Sequence, residues 1–531
     1  MKIPPFLLVY TQSAKTILIS SLCDTFTSNV NVADMRNIVE ILSNNDPGRI
    51  YTLLTSFKKP FKVTLEEIEQ QYDPKQHKVF DIKYRKKKNI NVPTGKKDPI
   101  TGKDIYKTKQ VERVRIAIPV QKNIVERAVG FLLANPVEYR ISQNGVSIRQ
   151  VSNKQQQLFD SVRKVYHQNK IKYFDKRLAR FVFRQREAAE LWYMPTTATG
   201  QIDKSGKMRV KLLAPALGDK LYPHFNDFDD MDGFVRVYKV KDEEGVSVNH
   251  FDVYTDRFVY KYVSDGESWR LDGSPKQHGF TKIPIVYYRQ EQAEWEDVQT
   301  EIERAEDLVS NWGDTNDYFG VPKYFVKGTL KGFAEKGEQG SVFQGEKDTE
   351  MRMLSWDNSP VSVTGELANL FSMIYSYSHS ADVSFERMKE IGNNTSGAAI
   401  RLMFTDPHMN AQTKTELFGE MFTRRSNIVA NGICNTGIVT SGIPMSVAND
   451  IDFEPIFKPY IPKNEVEELE LIQKSTGGKQ TTSQRRGIEL NPLNDDADRV
   501  EQEIREEEQQ ALELASQAMS VGESSQSVEE E

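Results

Sequence analysis

A chain of 531 residues is long enough for two or more domains, and its 38 % hydrophobic and 27 % charged residues are those of a folded protein, not a disordered one. A formal net charge of −6 argues against a protein that works by coating nucleic acid through bulk electrostatics. Cys23 and Cys434 are its only cysteines, which leaves no disulfide framework and no cysteine-rich metal knuckle and fits a reducing compartment.

The opening stretch, MKIPPFLLVYTQSAKTILISSLCDTF, is read as a packed arm. Pro4 and Pro5 precede an apolar run too short to cross a bilayer, Lys15 interrupts it, and no clear small-residue cleavage site follows. No other segment approaches about eighteen uninterrupted apolar residues, so a soluble chain without a membrane partner is expected. Lys75 to Lys109 is basic, turn-rich and without apolar periodicity, which predicts an exposed loop or hairpin pair, either solvated surface or a patch for an anionic partner. VRIAIPVQKNIVERAVGFLLANPVEYRI then predicts a strand and a helix from about Pro119 to Leu133 that buries Ile124, Ala128, Phe131 and Leu132 and breaks at Asn135 and Pro136. Helical spacing follows over Lys154–Gln168 and Phe174–Glu190. From Met208 to about Val286 the period falls to two between Gly, Pro and Asp clusters, the pattern of an antiparallel sheet or small barrel.

Motifs for chemistry fail on inspection. Counted as a calcium loop from Asp227, the run DFDDMDG puts Met231 where the fifth-position ligand belongs and Asp232 where the glycine belongs, so an exposed turn is expected. GGKQTT at Gly477 ends like a phosphate-binding loop, but Gln473 replaces its first glycine and Gln480 its Ser or Thr. The seven histidines are scattered, with no metal-ligand pair. No catalytic residue, metal or cofactor is expected, and the chain is read as non-enzymatic.

Two segments carry a narrow apolar seam. Trp295, Val298, Ile302, Ala305, Val309, Trp312 and Phe319 advance by threes and fours, and between Glu291 and Tyr318 ten acids face the single base Arg304. Like charges at i,i+4 each cost a few tenths of a kcal/mol, so that excess calls for a reason beyond the stability of one chain. Leu367, Phe371, Ile374, Ser378, Ala381, Phe385 and Met388 repeat the geometry between a Thr364 cap and Gly392. The insert VPKYFVKGTLKGFAEKGEQGSVFQGEKDTEMRMLSWDNSP between them reads as a few strands and turns. An ordinary αα-hairpin with a decorated tip fits the same pattern.

Taken in order over about residues 115 to 510, four stretches resemble the portal proteins of tailed bacteriophages of the long-tailed siphovirus type. They are NIVERAVGFLLANPVEYRI; IPIVYY followed by the acidic helix and YFVKG; GNNTSGAAIRLMFTDPHMNAQTKTELF after the second helix; and IDFEPIFKPYIPKNEVEELELIQKSTGG ahead of an acidic helix. The resemblance implies an α+β portal fold with a mixed wing body over 1–286, including the N-terminal arm, the basic loop 75–109, helices and an antiparallel sheet over 208–286. A first stem helix over 287–320, a small α/β clip over 321–360, a second stem helix over 361–391 and a tunnel loop over 392–400 follow. A wing return helix and strand over 401–461, a helical crown over 462–518 and a disordered acidic tail over 519–531 complete it.

The resemblance also implies a dodecameric ring at one capsid vertex, through which double-stranded DNA passes without sequence specificity during packaging and ejection. Its partners would be the terminase large subunit, the major capsid and scaffolding proteins, and head-completion or adaptor proteins. It would be assembled in the host bacterial cytoplasm and reside in the virion. On this sequence the DNA-facing tunnel residues would be Lys389, Asn393, Asn394, Thr395 and Ser396, and the acidic stem lining Glu294, Glu301 and Glu303. Stem packing would fall to Trp295, Ile302, Trp312, Phe371 and Ile374, and clip docking to Lys327, Lys331 and Lys336. An acidic lining would keep DNA centred and mobile, because a basic one would hold its phosphates through many counterion-releasing contacts. Two rival readings are an oligomeric coiled-coil scaffold and a metal-dependent nuclease using Asp227, Asp229, Asp230 or Asp232.

Overall fold

The computed structural model describes residues 37–143, 146–147, 151–197, 201–203, 206–241, 245–264, 266, 268–319, 323–328, 349–354, 359–380, 382, 402, 404–459, 465–477, 480–494 and 496–526. In chain order come helices α1 (Ile38–Leu42), α2 (Pro47–Ser56) and α3 (Leu65–Tyr72), strands β1 (Lys88–Lys97) and β2 (Asp104–Val111), helix α4 (Val120–Leu132), strands β3 (Glu138–Gln143) and β4 (Val146–Ser147), and helices α5 (Asn153–Gln168) and α6 (Ile171–Gln185). Nine strands follow: β5 (Glu187–Tyr193), β6 (Arg209–Leu213), β7 (Lys220–Phe225), β8 (Met231–Lys241), β9 (Ser247–Tyr254), β10 (Phe258–Ser264), β11 (Trp269–Leu271), β12 (Lys276–Gln277) and β13 (Ile285–Arg289). Then come α7 (Gln299–Phe319), β14 (Lys323–Lys327), β15 (Glu350–Leu354), α8 (Ser359–Tyr377), α9 (Thr405–Thr436), α10 (Met445–Asp450), β16 (Asp452–Ile456), α11 (Glu465–Thr476), α12 (Gln484–Leu490) and α13 (Ala497–Gln526). The described chain is thus mixed helix and sheet.

Two compact units divide it. Of the described residues, the first takes those up to Val125 together with those within Pro136–Glu296 and Thr415–Phe457; the second takes those within Glu126–Asn135, Asp297–Lys414 and from Lys458 onward.

In the first unit, local chemistry sets the helix ends. Thr64 accepts from the Glu67 N–H while the Glu67 carboxylate accepts from the Thr64 N–H, closing a capping box on α3, and Ser152 with Gln155 does the same for α5. Strands run in the order β11-β10-β9-β8-β7, all antiparallel, with β12 pairing on β10; a second antiparallel sheet runs β13-β5-β6 and a third β16-β3-β4. The period-two pattern separates the faces of the large sheet. Val235, Val237, Phe251, Val253 and Tyr262 pack under Ile38, Ile41, Ile50, Leu53 and Leu54 of α1 and α2. On the other face Phe234, Tyr254 and Val259 meet Ala189, Leu191, Leu213, Ile285 and Tyr287 of the three-stranded sheet.

Structure and sequence part at several places, the strand expected in VRIAIP among them, which is irregular over 112–119. The helix expected over Phe174–Glu190 ends at Gln185, because Arg186 adopts a left-handed φ of 67° with its N–H returning to the Val182 carbonyl. EAAELWY, rich in helix-favouring Ala, Glu and Leu, is instead β5, almost wholly buried between β13 and β6. The tail read as disordered from 519 is helical as far as Gln526, since no proline interrupts the Ala- and Glu-rich run that precedes it.

Two 3-10 turns, Pro74–Gln76 and Lys78–Phe80, open the basic stretch and bury Val79; β1 and β2 then pair as an antiparallel hairpin with almost every residue exposed.

Candidate conduit helices and the buried polar core

The acidic helix begins at Gln299, eight residues later than the charge pattern suggests, and tertiary hydrogen bonds explain the delay. Gln290 donates its backbone N–H to the Arg186 carbonyl at 2.8 Å and Glu294 donates to the Phe183 carbonyl at 3.2 Å, so this backbone is committed to the first unit before a 3-10 turn at Glu296–Val298 leads into α7. Glu294 and Trp295 therefore precede the helix. Trp295 is fully buried in the first unit, 5.4 Å from the Tyr72 ring, and its Nε1–H donates to Gln71 at 3.1 Å. That corrects its assignment to the stem seam: a large aromatic with a satisfied N–H is a core anchor of the body.

Along α7 itself, Ile302, Ala305, Glu306 and Ser310 are buried. Glu301, Glu303 and Trp312 are half-buried, and Gln299 donates to Glu303 at 3.2 Å while Thr300 donates to Glu301 at 2.8 Å. Six acids stand against Arg304 over the helix, and Arg304 reaches out of it to Glu366 on α8 at 2.7 Å. Helix α8 starts at Ser359, so Thr364 lies inside it with its hydroxyl on the Val361 carbonyl and is not the cap. Leu370 and Ile374 are buried, Phe371 is half-buried and 6.1 Å from Tyr375, and Arg127 lies 4.9 Å from the Tyr375 ring. The helix closes at Tyr377, two residues before His379 takes a positive φ of 50°.

Strands β14 and β15 pair antiparallel, and exposed Lys327 sits opposite Glu350. Lys331 and Lys336, like Lys389, Asn393, Asn394, Thr395 and Ser396, lie outside the described residues.

A buried polar core in the first unit has no counterpart in the sequence reading. Arg425 of α9 is wholly buried and its Nε donates to both oxygens of Glu190 on β5, at 3.0 and 2.9 Å; its Nη2 pairs with Asp175 of α6 at 2.7 Å. Tyr288 donates to Glu190 at 2.6 Å and the Trp192 Nε1–H at 3.0 Å, so this carboxylate is held from three sides. Burial pushes the Asp175 carboxyl up to about 6, with the Arg425 guanidinium opposing. Burial alone would lower Arg425, but Asp175 and Glu190 more than offset it and hold it well above its ordinary value. Nearby, Lys58 donates to Glu187 and to the Leu221 carbonyl, at 2.6 and 2.9 Å, and Tyr287 donates to Glu187 at 2.6 Å. The Arg425 network fastens α9 to β5 and α6, and the Lys58 network ties the segment after α2 to β5, β7 and β13; an arginine within an apolar helix run, as in MFTRRSNIVA, is the one sequence signal that marks the first.

The acidic run resolves into a turn and a strand. Asn226 accepts from the N–H groups of Phe228 and Asp230 at 2.9 and 3.0 Å, leaving Asp227, Asp229 and Asp230 exposed at the tip. Asp232 faces inward instead, bonded to His224 Nδ1 at 2.5 Å and to the Ile38 N–H at 3.3 Å. Gly233 lets the two elements pack closely: a Cβ there would stand 2.1 Å from the Ile38 Cδ1 and would displace that side chain. The four acids do not converge, and among the described residues no group of three or more His, Cys, Asp or Glu is arranged to hold a metal ion.

The profile of the family described as "Phage portal protein, SPP1 Gp6-like" matches residues 60–514. The chain belongs to the phage portal protein family. Among solved structures, this portal protein is similar to a chain in "Neck of empty GTA particle computed with C6 symmetry", with 9 % identity and a TM-score of 0.38 over 70 % of this chain and 89 % of the other. No curated protein matches it. Among the described residues of the portal protein no helix is long and apolar enough to cross a membrane.

Proposed function

We propose that this portal protein forms a ring at one capsid vertex, through which double-stranded DNA is packaged and later ejected, and on which the terminase motor and then the head-completion proteins dock. The observation that carries this reading is the family match over residues 60–514. The charge of α7 supports it, with six acids facing one base along a helix of 21 residues that spans on the order of 32 Å at 1.5 Å per residue. Packed side by side around an axis, such helices would make an acidic tube wall that repels phosphate and lets a duplex slide.

In this reading residues 1–286 with 401–461 are the wing, α7 and α8 the stem, 321–360 the clip and 462–518 the crown. Glu301 and Glu303 line the channel, with Ile302, Trp312, Phe371 and Ile374 packing the stem helices. Lys389, Asn393, Asn394, Thr395 and Ser396 meet passing phosphates, and Lys327, Lys331 and Lys336 meet the motor. Nucleotide hydrolysis belongs to the separate terminase. The ring is assembled in the host cytoplasm with the major capsid and scaffolding proteins and remains in the virion.

Electron microscopy of the purified chain tests the proposal. Rings with a central hole, generally dodecameric, are expected. Elongated dimers would favour a coiled-coil scaffold, and compact monomers with magnesium-dependent cleavage of DNA would favour a nuclease.

A further inference from the structure

The turn between β7 and β8 presents an apolar side chain among acids. Phe228 is 85 % exposed at its tip, Phe225 is half-exposed at its base, and Asp227, Asp229 and Asp230 surround them. The turn is rigid: Asn226 holds the N–H groups of Phe228 and Asp230 through its side chain, and its own N–H donates to the Asp230 carbonyl at 2.9 Å. A phenylalanine held in water on a preorganised turn loses little further freedom when it is buried by a partner.

A cleft of about 860 Å³ elsewhere in the same unit has the complementary character. Tyr139, Phe159, Tyr166 and Tyr173 give it aromatic walls, and exposed Arg163, His167, Lys170 and Lys172 stand at its rim. Two acids, Glu138 and Asp175, also line it, but Asp175 is paired with Arg425, so the rim keeps a basic excess.

The knob and the cleft lie on different sides of α9. Glu420, Thr423, Arg424 and Asn427 of that helix line a cavity with Met231 and Asp232, at the foot of the turn, whereas Arg425 and Ser426 reach Asp175 and Tyr166, which line the cleft. A chain therefore does not fill its own cleft with its own turn.

We infer that the Phe228 turn of one copy seats in the Tyr139–Tyr173 cleft of its neighbour, Phe228 between the aromatic walls and the flanking aspartates on the basic rim. Such a contact joins two different patches, which is the head-to-tail kind that closes a ring when the rotation between copies permits. The inference rests on the ring proposed above and adds which residues make the contact.

Three full-length variant sets test it by the concentration at which half the chains enter rings. Phe228→Ala should raise that concentration tenfold or more, and so should Arg163→Glu with Lys172→Glu. Adding Asp229→Lys and Asp230→Lys to the latter pair should restore assembly. All these positions are exposed, so circular dichroism of each variant should match the parent. In a second arm, Phe228→Cys chains mixed with Tyr173→Cys chains should form a disulfide-linked pair under mild oxidation that neither chain forms alone, with the natural cysteines controlled by the parent. Wild-type rings whose threshold is unmoved by Phe228→Ala, or a mixed sample without the cross-link, would overturn the contact and leave the ring intact. A parent chain that forms no rings would sink both. Rings that form normally from cleft variants but fail at a later step would give the cleft to another protein and equally overturn the contact.

Discussion

Arg425 stands between two buried carboxylates, one more negative charge than it can neutralise, and Asp175 carries the consequence. Its folded value is raised from an ordinary 3.8 to about 6, chiefly by burial, so the native state holds this proton at pH values where the unfolded chain has lost it. The sign is the reverse of a usual carboxylate salt bridge: stability falls as pH rises from about 4 to about 6 and levels off above that, by at most about 1.4 kcal/mol per pH unit for one proton. Asp175→Asn keeps an oxygen for Arg425 and removes the titration. Urea midpoints should show the variant gaining on the parent between pH 4.5 and 7, and parallel pH profiles would refute the assignment. Removing the cation is a different matter. Arg425→Ala leaves Glu190 uncompensated at zero exposure and should cost roughly 3–5 kcal/mol, read from denaturant unfolding at pH 7.

Among the elements, helices α7 and α8 contrast a visible interaction with an effective one. Arg304 and Glu366 form an ion pair between α7 and α8, yet both side chains are about half exposed, so Arg304→Ala should change stability by under about 1 kcal/mol. Ile374, wholly buried on α8, should cost about 2–5 kcal/mol when cut to alanine, and thermal melts of the two variants side by side distinguish them. The same helices show how far the sequence could be read. The burial of Ile302, Ala305 and Ile374 follows a local period and is legible, whereas buried Leu370 lies off the expected seam. Trp295 continues that period yet belongs to the body, because a hydrogen bond from the Glu294 backbone to Phe183, over a hundred positions away, ends the register. β5 was hidden for a similar reason: Ala188, Ala189 and Leu191 favour a helix locally and become a strand only because β13 and β6 offer their edges. The Arg425, Glu190 and Asp175 cluster joins three separate elements, and no spacing along the chain announces it.

At the scale of the whole molecule, identical copies multiply every charge. A formal charge of −6 per chain makes any ring strongly acidic, and the six acids of α7 concentrate part of that on one element. If these helices wall a channel, Glu301→Lys with Glu303→Lys turns two repulsive rings into two rings of phosphate contacts, each able to release a counterion when DNA passes. Both acids are half-buried, with Gln299 donating to Glu303 and Thr300 to Glu301, so electron microscopy of the variant must first show parental rings. DNA uptake by empty capsids, driven by terminase and ATP, should slow or stall. The defect should be largest at low salt and should shrink toward the parental rate as the Debye length falls to about 8 Å near physiological ionic strength. A defect independent of salt would point to altered stem packing, and uptake unchanged at low salt would remove the argument that the acidic wall keeps DNA mobile.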